Sequence, residues 1–554
     1  MDTRQPGYAN VGLDRGRKLA HSFGPMSSEA SGHRPLTRSG EGPTPLARGL
    51  RLFVPTGAII AIMFALWQLF AASSGLEIRR TQIGNTPVSV FRLPGGAPAP
   101  AVIIAHGFAG SQKLMEPFAV TLAQSGYVAV TFDFAGHGFN PNALAGGLVD
   151  RNARAQRLLP ELDKVIAYAK SLPGVDGRVA LLGHSMASDL VARDAKARTD
   201  IAATVTISLF SPEPDATGPR NLLVVVGAIE DPHLMKEAYR AVSVATGGPV
   251  EAGVTYGRFE DGTARRVAIA PGVEHIAVLF SATSLKEARD WLNAVFSRDQ
   301  TGLIDARGWW FLLLFGGLLV LARPLTRLLP VVAQAPRGAN LTWRPLLLVA
   351  VAPVILTPLI LWASPVNTLP LLLGEYLYFH FAVYGLVTFA TLRLVRWWKA
   401  IPAPPPASVS LWRFGLAFAA IAAYGLFAIG WPADHFVSSV APIEPRVPLI
   451  LAMAAGTAVY FVADEWLVRG LKPLRGAYAL TKACFLVSLA LAVALNPPRL
   501  FFLMIASPIM VAMFVVYGLI SRWAFNRTNE PLAAALANAI IFAWAIATTF
   551  PIIG

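Results

Sequence analysis

Two apolar patterns divide this chain. Between about residues 76 and 298, short apolar runs alternate with amphipathic segments. Ala101–Ala105, Val128–Phe132, Val179–Leu182, Ala203–Ile207, Leu222–Val226 and Val267–Ala270 read as buried strands. Helical patterns lie between or after several of them, including Gln156–Leu172 and Ser284–Phe296. Such alternation predicts a mostly parallel sheet with helices on both faces. Glu77–Leu93 reads as an antiparallel hairpin before the core. A second hairpin is expected at Val254–Ala270, turning at Glu260-Asp261-Gly262. From about residue 308 the pattern changes to eight apolar blocks, near 308–322, 345–363, 370–392, 411–430, 447–468, 476–495, 499–520 and 531–553. A bilayer core of about 30 Å needs roughly 20 apolar residues in a helix. These blocks therefore predict an all-α polytopic transmembrane domain.

The organisation that follows has four parts. Residues 1–50 are rich in Gly, Ser, Pro and Arg without apolar periodicity, which predicts a disordered basic tail. Residues 51–75 hold an N-terminal transmembrane helix, expected to be a retained anchor rather than a cleaved signal. Residues 76–300 form the strand–helix domain, and residues 301–554 the membrane domain with its eight spans.

Composition agrees. The chain is 54% hydrophobic and only 14% charged, against about 25% charged in soluble domains. Its net charge of +14 does not point to nucleic acid, because Lys and Arg flank apolar blocks rather than forming one basic face. The single cysteine, Cys484, excludes an internal disulfide and any cysteine-rich metal site. Alternate short loops carry the cations: Arg323, Arg327, Arg337 and Arg344; Arg393, Arg396, Lys399 and Arg413; Arg469, Lys472 and Arg475; Arg522 and Arg527. The intervening loops carry only Arg446 and Arg499. The positive-inside rule then expects a cytoplasmic N-terminus, and a strand–helix domain on the opposite, periplasmic side of a cell membrane.

Chemistry concentrates in RVALLGHSMAS, Arg178–Ser188. A strand runs into Gly183-His184-Ser185-Met186-Ala187 and a helix follows, which lifts the Ser185 hydroxyl above the sheet end. A serine nucleophile needs a base, and the base an orienting acid. His275 follows the last strand and is the expected base. Asp231 follows the strand Leu222–Val226 and is the expected acid, with Glu230 its rival and Asp215 a weaker one. The backbone N–H groups of Phe108, in Ala105-His106-Gly107-Phe108, and of Met186 are the expected oxyanion donors. His106 and His137 read as structural loop residues, and His184 as a shaper of the turn.

HGF after one strand, FDFAGHG (Phe132–Gly138) after the next, then GHSMA, GAIED and GVEH occur in the order found in the α/β-hydrolase superfamily. The resemblance covers about 76–298 and departs at Ala187, where the pattern usually has Gly. It implies an α/β-hydrolase fold with a Ser-His-Asp triad. The short interval between Ile207 and Leu222 leaves no room for a large cap, a style closer to dienelactone-hydrolase-like esterases than to capped lipases.

Inside the membrane domain, Glu375, His380, Asp464, Glu465 and Arg469 form a second candidate site, since ionisable groups within spans mark function by default. Asp464–Gly470 resembles, in degenerate form, the EExxxRG motif of CAAX-protease-like membrane proteins. Asn538 stands where that family's last motif would have His. The competing reading is an interfacial ion-pair cluster at a helix end for Asp464, Glu465 and Arg469, and internally paired packing residues for Glu375 and His380.

The expectation is a membrane-anchored serine hydrolase of small-molecule or lipid esters that works through an acyl-enzyme. It needs no metal and no organic cofactor. Its partners are the lipid bilayer and not nucleic acid. Three alternatives stand beside it: an acyltransferase using the same triad, an inactive hydrolase-like sensor on a transporter or scaffold, and an intramembrane peptidase centred on Glu465.

Overall fold

The computed structural model describes residues 45–145, 150–363, 368–404 and 406–554, with side chains from residue 53 onward. The predicted tail, up to residue 44, lies outside the described residues. Helix α1 (Pro45–Ala71) leads into the sheet domain.

Nine strands form one sheet. They are β1 (Glu77–Ile83), β2 (Thr86–Arg92), β3 (Ala99–Ala105), β4 (Val128–Phe132), β5 (Val175–His184), β6 (Ile201–Ile207), β7 (Leu222–Gly227), β8 (Thr255–Tyr256) and β9 (Arg265–Ala270). The spatial order is β1-β2-β4-β3-β5-β6-β7-β9-β8. The six central strands run parallel. The β1–β2 hairpin adds an antiparallel edge through β4, and β8 adds another beside β9. Both predicted hairpins are therefore present.

Alternation along each strand decides which helix packs where. On β3, Val102 and Ile104 face α2 (Glu116–Gln124) and α6 (Ala282–Phe296). Ile103 faces α3 (Arg151–Ser171) and α4 (Met186–Ala197). Helix α5 (Pro232–Thr246) covers the β7–β9 end through Ala238, Ala241 and Val242. All three β3 side chains are fully buried, and each such aliphatic contributes about 1.5–3 kcal/mol over an exposed one. The stretch 208–221, between β6 and β7, contains no helix or strand, in keeping with the expectation of no large inserted cap.

The helical region follows the predicted blocks. It comprises α7 (Gly308–Leu325), α8 (Trp343–Ala363), α9 (Gly374–Trp398), α10 (Leu411–Ala423), α11 (Gly430–Phe436), α12 (Val447–Val468), α13 (Ala477–Leu495), the short α14 (Pro497–Leu500), α15 (Leu503–Thr528) and α16 (Leu532–Thr549). A π-helical turn, Tyr424–Ile429, joins α10 to α11. Among the described residues nine helical segments, α1 included, are long and apolar enough to cross a membrane. Helix α12 lies centrally and packs on α9 and α16 around an aromatic core that includes Phe381, Phe461, Phe485 and Phe542.

The sheet domain and the helical region interlock. The last residues thread between the loop after β4 and the segment before α9. Leu144 N–H donates to Ile552 O (2.8 Å), and Ile552 N–H to Gly136 O (3.0 Å). On the other side Leu372 N–H donates to Pro551 O (2.9 Å), and Ile553 N–H to Pro370 O (3.1 Å). The fully buried Arg446 ties the same place together, donating to Ala547 O (2.6 Å), Phe550 O (2.9 Å) and Gly136 O (2.8 Å).

Candidate active site

Ser185 sits between β5 and α4 with φ +53° and ψ −114°, a conformation rare for a residue with a side chain. Its N–H donates to Ile207 O (2.9 Å), which pins the turn to β6. Close packing explains Gly183: a Cβ there would come within 2.5 Å of Ala187 O and 2.7 Å of Val191 Cγ2. The turn holds Ser185 at the sheet's C-terminal edge, 8% exposed.

The loop after β9 brings His275 to it. His275 Nε2 lies 2.9 Å from Ser185 Oγ, and His275 Nδ1 lies 2.7 Å from Glu230 Oε2. A carboxylate only accepts, so Nδ1 carries the proton and Nε2 is left to accept from the serine hydroxyl. His184 Nε2 donates to His275 O (3.0 Å) from beneath.

The expected acid, Asp231, is not at the imidazole. Residues Gly227–Glu230 form a tight turn, closed by Glu230 N–H to Gly227 O (3.2 Å), which folds Glu230 back over the strand end. Its carboxylate is fully buried and accepts from Gly227 N–H (2.7 Å) and Ser208 Oγ (2.8 Å) as well as from His275. Asp231, one residue on, starts α5. Its carboxylate accepts from His233 N–H (2.8 Å) as the helix cap, with Pro232 in the first turn. The longer side chain, already turned inward, reaches the histidine. Asp215 is held by Lys196 (2.8 Å) and its own loop.

Ser208 was not anticipated. Its place immediately after a strand end, where φ is +55°, was the available signal. Glu274 accepts from Ile276 and Ala277 N–H and so caps the short turn after His275.

The β3–α2 loop lies against the serine. A Cβ on Gly107 would stand 3.0 Å from Ser185 Cβ and 2.9 Å from His184 Nδ1, so glycine permits the approach. The N–H groups of Phe108 and Met186 donate to no protein acceptor among the described residues. His106 braces the loop, its Nδ1–H donating to Gly107 O (2.8 Å) and its Nε2 accepting from Phe134 N–H (3.1 Å). His137 Nδ1–H donates to Ala135 O (2.9 Å). Burial pushes His106, His137 and His184 below the ordinary imidazole range, so all three are neutral supports at pH 7.

A model of the hydrolase family described as serine aminopeptidase, S33, matches residues 96–225. The chain carries an α/β-hydrolase domain. Similar solved structures include a putative dienelactone hydrolase from Klebsiella pneumoniae, 18% identical over 40% of this chain and 99% of that one, with a TM-score of 0.30. TT1662 from Thermus thermophilus is 14% identical over 40% and 99%, with a TM-score of 0.32. A bacterial membrane phospholipase A is 16% identical over 45% and 95%, with a TM-score of 0.27. No curated protein matches.

The candidate residues of the helical region form no comparable constellation. Asp464 pairs with Lys482, a residue the sequence reading missed inside an apolar block. Glu465 pairs with Arg469 (2.8 Å), which also reaches Ser521 (3.3 Å). Glu375 accepts from Leu369 N–H (2.8 Å) and faces Arg499 at 3.7 Å. His380 does not pair with it. It lies fully buried among Tyr376, Tyr384 and Phe485. Asn538 is buried in α16. No group of three or more metal-ligating side chains occurs among the described residues.

Proposed function

We propose that this protein is a multi-pass membrane serine hydrolase that cleaves carboxylic esters. The observation that carries the reading is the unbroken relay from Ser185 Oγ through His275 to Glu230, at 2.9 and 2.7 Å. Ser185 attacks the ester carbonyl as His275 Nε2 takes its proton. The tetrahedral oxyanion is held by the Phe108 and Met186 N–H groups. Collapse expels the alcohol, which receives the proton from His275, and an acyl-serine remains. Water, deprotonated by the same imidazole, releases the carboxylic acid and restores Ser185. Glu230 fixes the tautomer and balances the transient imidazolium.

The bilayer makes acyl esters of lipids or envelope components the favoured substrates. Loop charges favour a cytoplasmic N-terminus with the hydrolase domain on the outer face. Eight candidate spans lie between the hydrolase domain and the chain's last residues, an even number in accord with their packing on the hydrolase loop Gly136–Leu144, so the two share one side and the loop charges alone choose which. The test uses the full chain in detergent. A fluorophosphonate should label the wild type at Ser185 and leave Ser185→Ala unlabelled. Short acyl esters should be hydrolysed by the wild type alone. No label on folded wild type would overturn the reading.

A further inference from the structure

The hydrolase domain does not build its oxyanion loop alone. The Phe108 ring, half-buried, meets three other rings: His137 at 6.0 Å between centroids, Phe502 at 5.2 Å and Phe550 at 6.3 Å. Only His137 belongs to the hydrolase domain. Phe502 immediately precedes α15, and Phe550 follows α16. The burial is reciprocal. Phe108 and Ala109 pack on the core of the helical region, while Leu372, Phe502 and Ile553 pack on the core of the sheet.

The backbone here has little slack. On one side Gly107 abuts the Ser185 turn. On the other Ala109 is in the left-handed region, φ +55°, and Gly110 N–H closes a turn on Gly107 O (3.1 Å). Next along, Ser111 Oγ accepts from Ser439 N–H (3.0 Å) and meets Ser438 Oγ (3.1 Å), both in the loop before α12. The orientation of the Phe108 N–H is therefore tied to where the helical region holds the ring. Between β6 and β7 no helix offers an alternative cover.

We infer that Phe502 and Phe550 are positioning residues of the hydrolase site: the membrane domain completes the oxyanion hole by clasping the Phe108 ring. The inference rests on the serine-hydrolase reading above. Oxyanion stabilisation acts in the transition state, so a slackened donor lowers kcat and leaves ground-state binding alone. Loss of one donor costs about a hundredfold or more, and a misplaced one correspondingly less.

The experiment uses the full chain in detergent with a short-chain p-nitrophenyl ester and a fluorophosphonate probe. Phe502→Ala should lower kcat by about tenfold to a hundredfold, keep KM within about twofold, and slow phosphonate labelling in proportion. The pH profile of kcat/KM should keep its shape, because His275 and Glu230 are untouched. Phe502→Tyr, which retains the ring, should recover most of the rate. Phe501→Ala, at the exposed neighbouring position, should stay within about twofold of wild type. Should Phe502→Ala aggregate, Phe502→Leu and Phe550→Leu carry the test, each expected to lower kcat about threefold or more. Unchanged kcat in a folded Phe502 variant overturns the inference. So does a rise in KM at constant kcat, a displaced pH profile, or an equal loss in Phe501→Ala. If the wild type itself fails to label at Ser185, the serine-hydrolase reading falls. If it labels and the Phe502 and Phe550 variants match it, only the inference falls.

Discussion

Two of the buried polar clusters are wired differently. Around Ser185 the hydrogen bonds run in one direction. Glu230 is anchored by Gly227 and Ser208, His275 leans on Glu230, and the relay ends at a hydroxyl at the edge of the sheet. In the helical region the charges close on themselves. Asp464 meets Lys482, and Glu465 meets Arg469. An open relay leaves one group with unused reactivity. A closed pair leaves none, and its worth is structural, because a lone charge in a low-dielectric interior is costly. Buried charge alone does not distinguish a reaction centre from a fastener; on the reading proposed above the Ser185 relay is the first, and the Asp464–Lys482 and Glu465–Arg469 pairs are the second.

The sharpest way to break this comparison is to remove one member of each. His275→Ala should lower ester hydrolysis by about 10⁴-fold or more, measured as kcat/KM. Glu465→Gln should leave it within about threefold in protein that remains folded. Loss of hydrolysis in the latter alone would reverse the assignment of the two clusters.

A smaller effect separates adjacent carboxylates. Glu230→Gln should cost about 10³- to 10⁴-fold in kcat, because the imidazole loses its tautomeric anchor. Asp231→Asn should leave kcat nearly unchanged, since asparagine caps a helix as well as aspartate does. Equal losses at both positions would contradict the observed geometry.

The closed pair is tested by stability. Lys482→Met strands the Asp464 carboxylate and should cost about 3–5 kcal/mol. Adding Asp464→Leu should return much of it. Thermal unfolding in detergent reports both, and a single variant as stable as wild type would mean that the pair fastens nothing.

The smallest effect is in pH. His106, His137 and His184 are held below their unfolded values by burial. A depressed imidazole contributes stability that is present above the unfolded pKa of about 6.5 and is lost as pH falls below it toward the folded values. Melting temperature should decline below about pH 6.5. His137→Gln should make that decline shallower, and an unaltered slope would exclude His137 as a contributor.

Much of this was legible in the residues, for a physical reason. Strand and helix periods differ, so the parallel core and the spanning blocks separate on pattern alone. Ser185 and His275 follow apolar runs that end abruptly, which marks strand ends. The acid was harder. Glu230 and Asp231 are neighbours with the same charge, and only the turn at Gly227 and the helix start at Pro232 divide their roles. Lys482 was hidden because a single cation barely lowers the hydropathy of a 19-residue span. The π-helical turn at Tyr424 has no distinctive residue pattern. Least legible were contacts such as Arg446 with Gly136 and Phe502 with Phe108, because nothing local encodes a partner hundreds of positions away.

The bridge between Leu144 and Ile553 has a consequence in time. A ribosome adds about 5–20 residues per second. The loop beside the hydrolase site must therefore wait some 20–80 s for the stretch that completes it. That stretch follows the last candidate span. The wall beside the candidate site is thus completed only after all nine candidate spans have been synthesised, and a chain still in synthesis carries Ser185 without it.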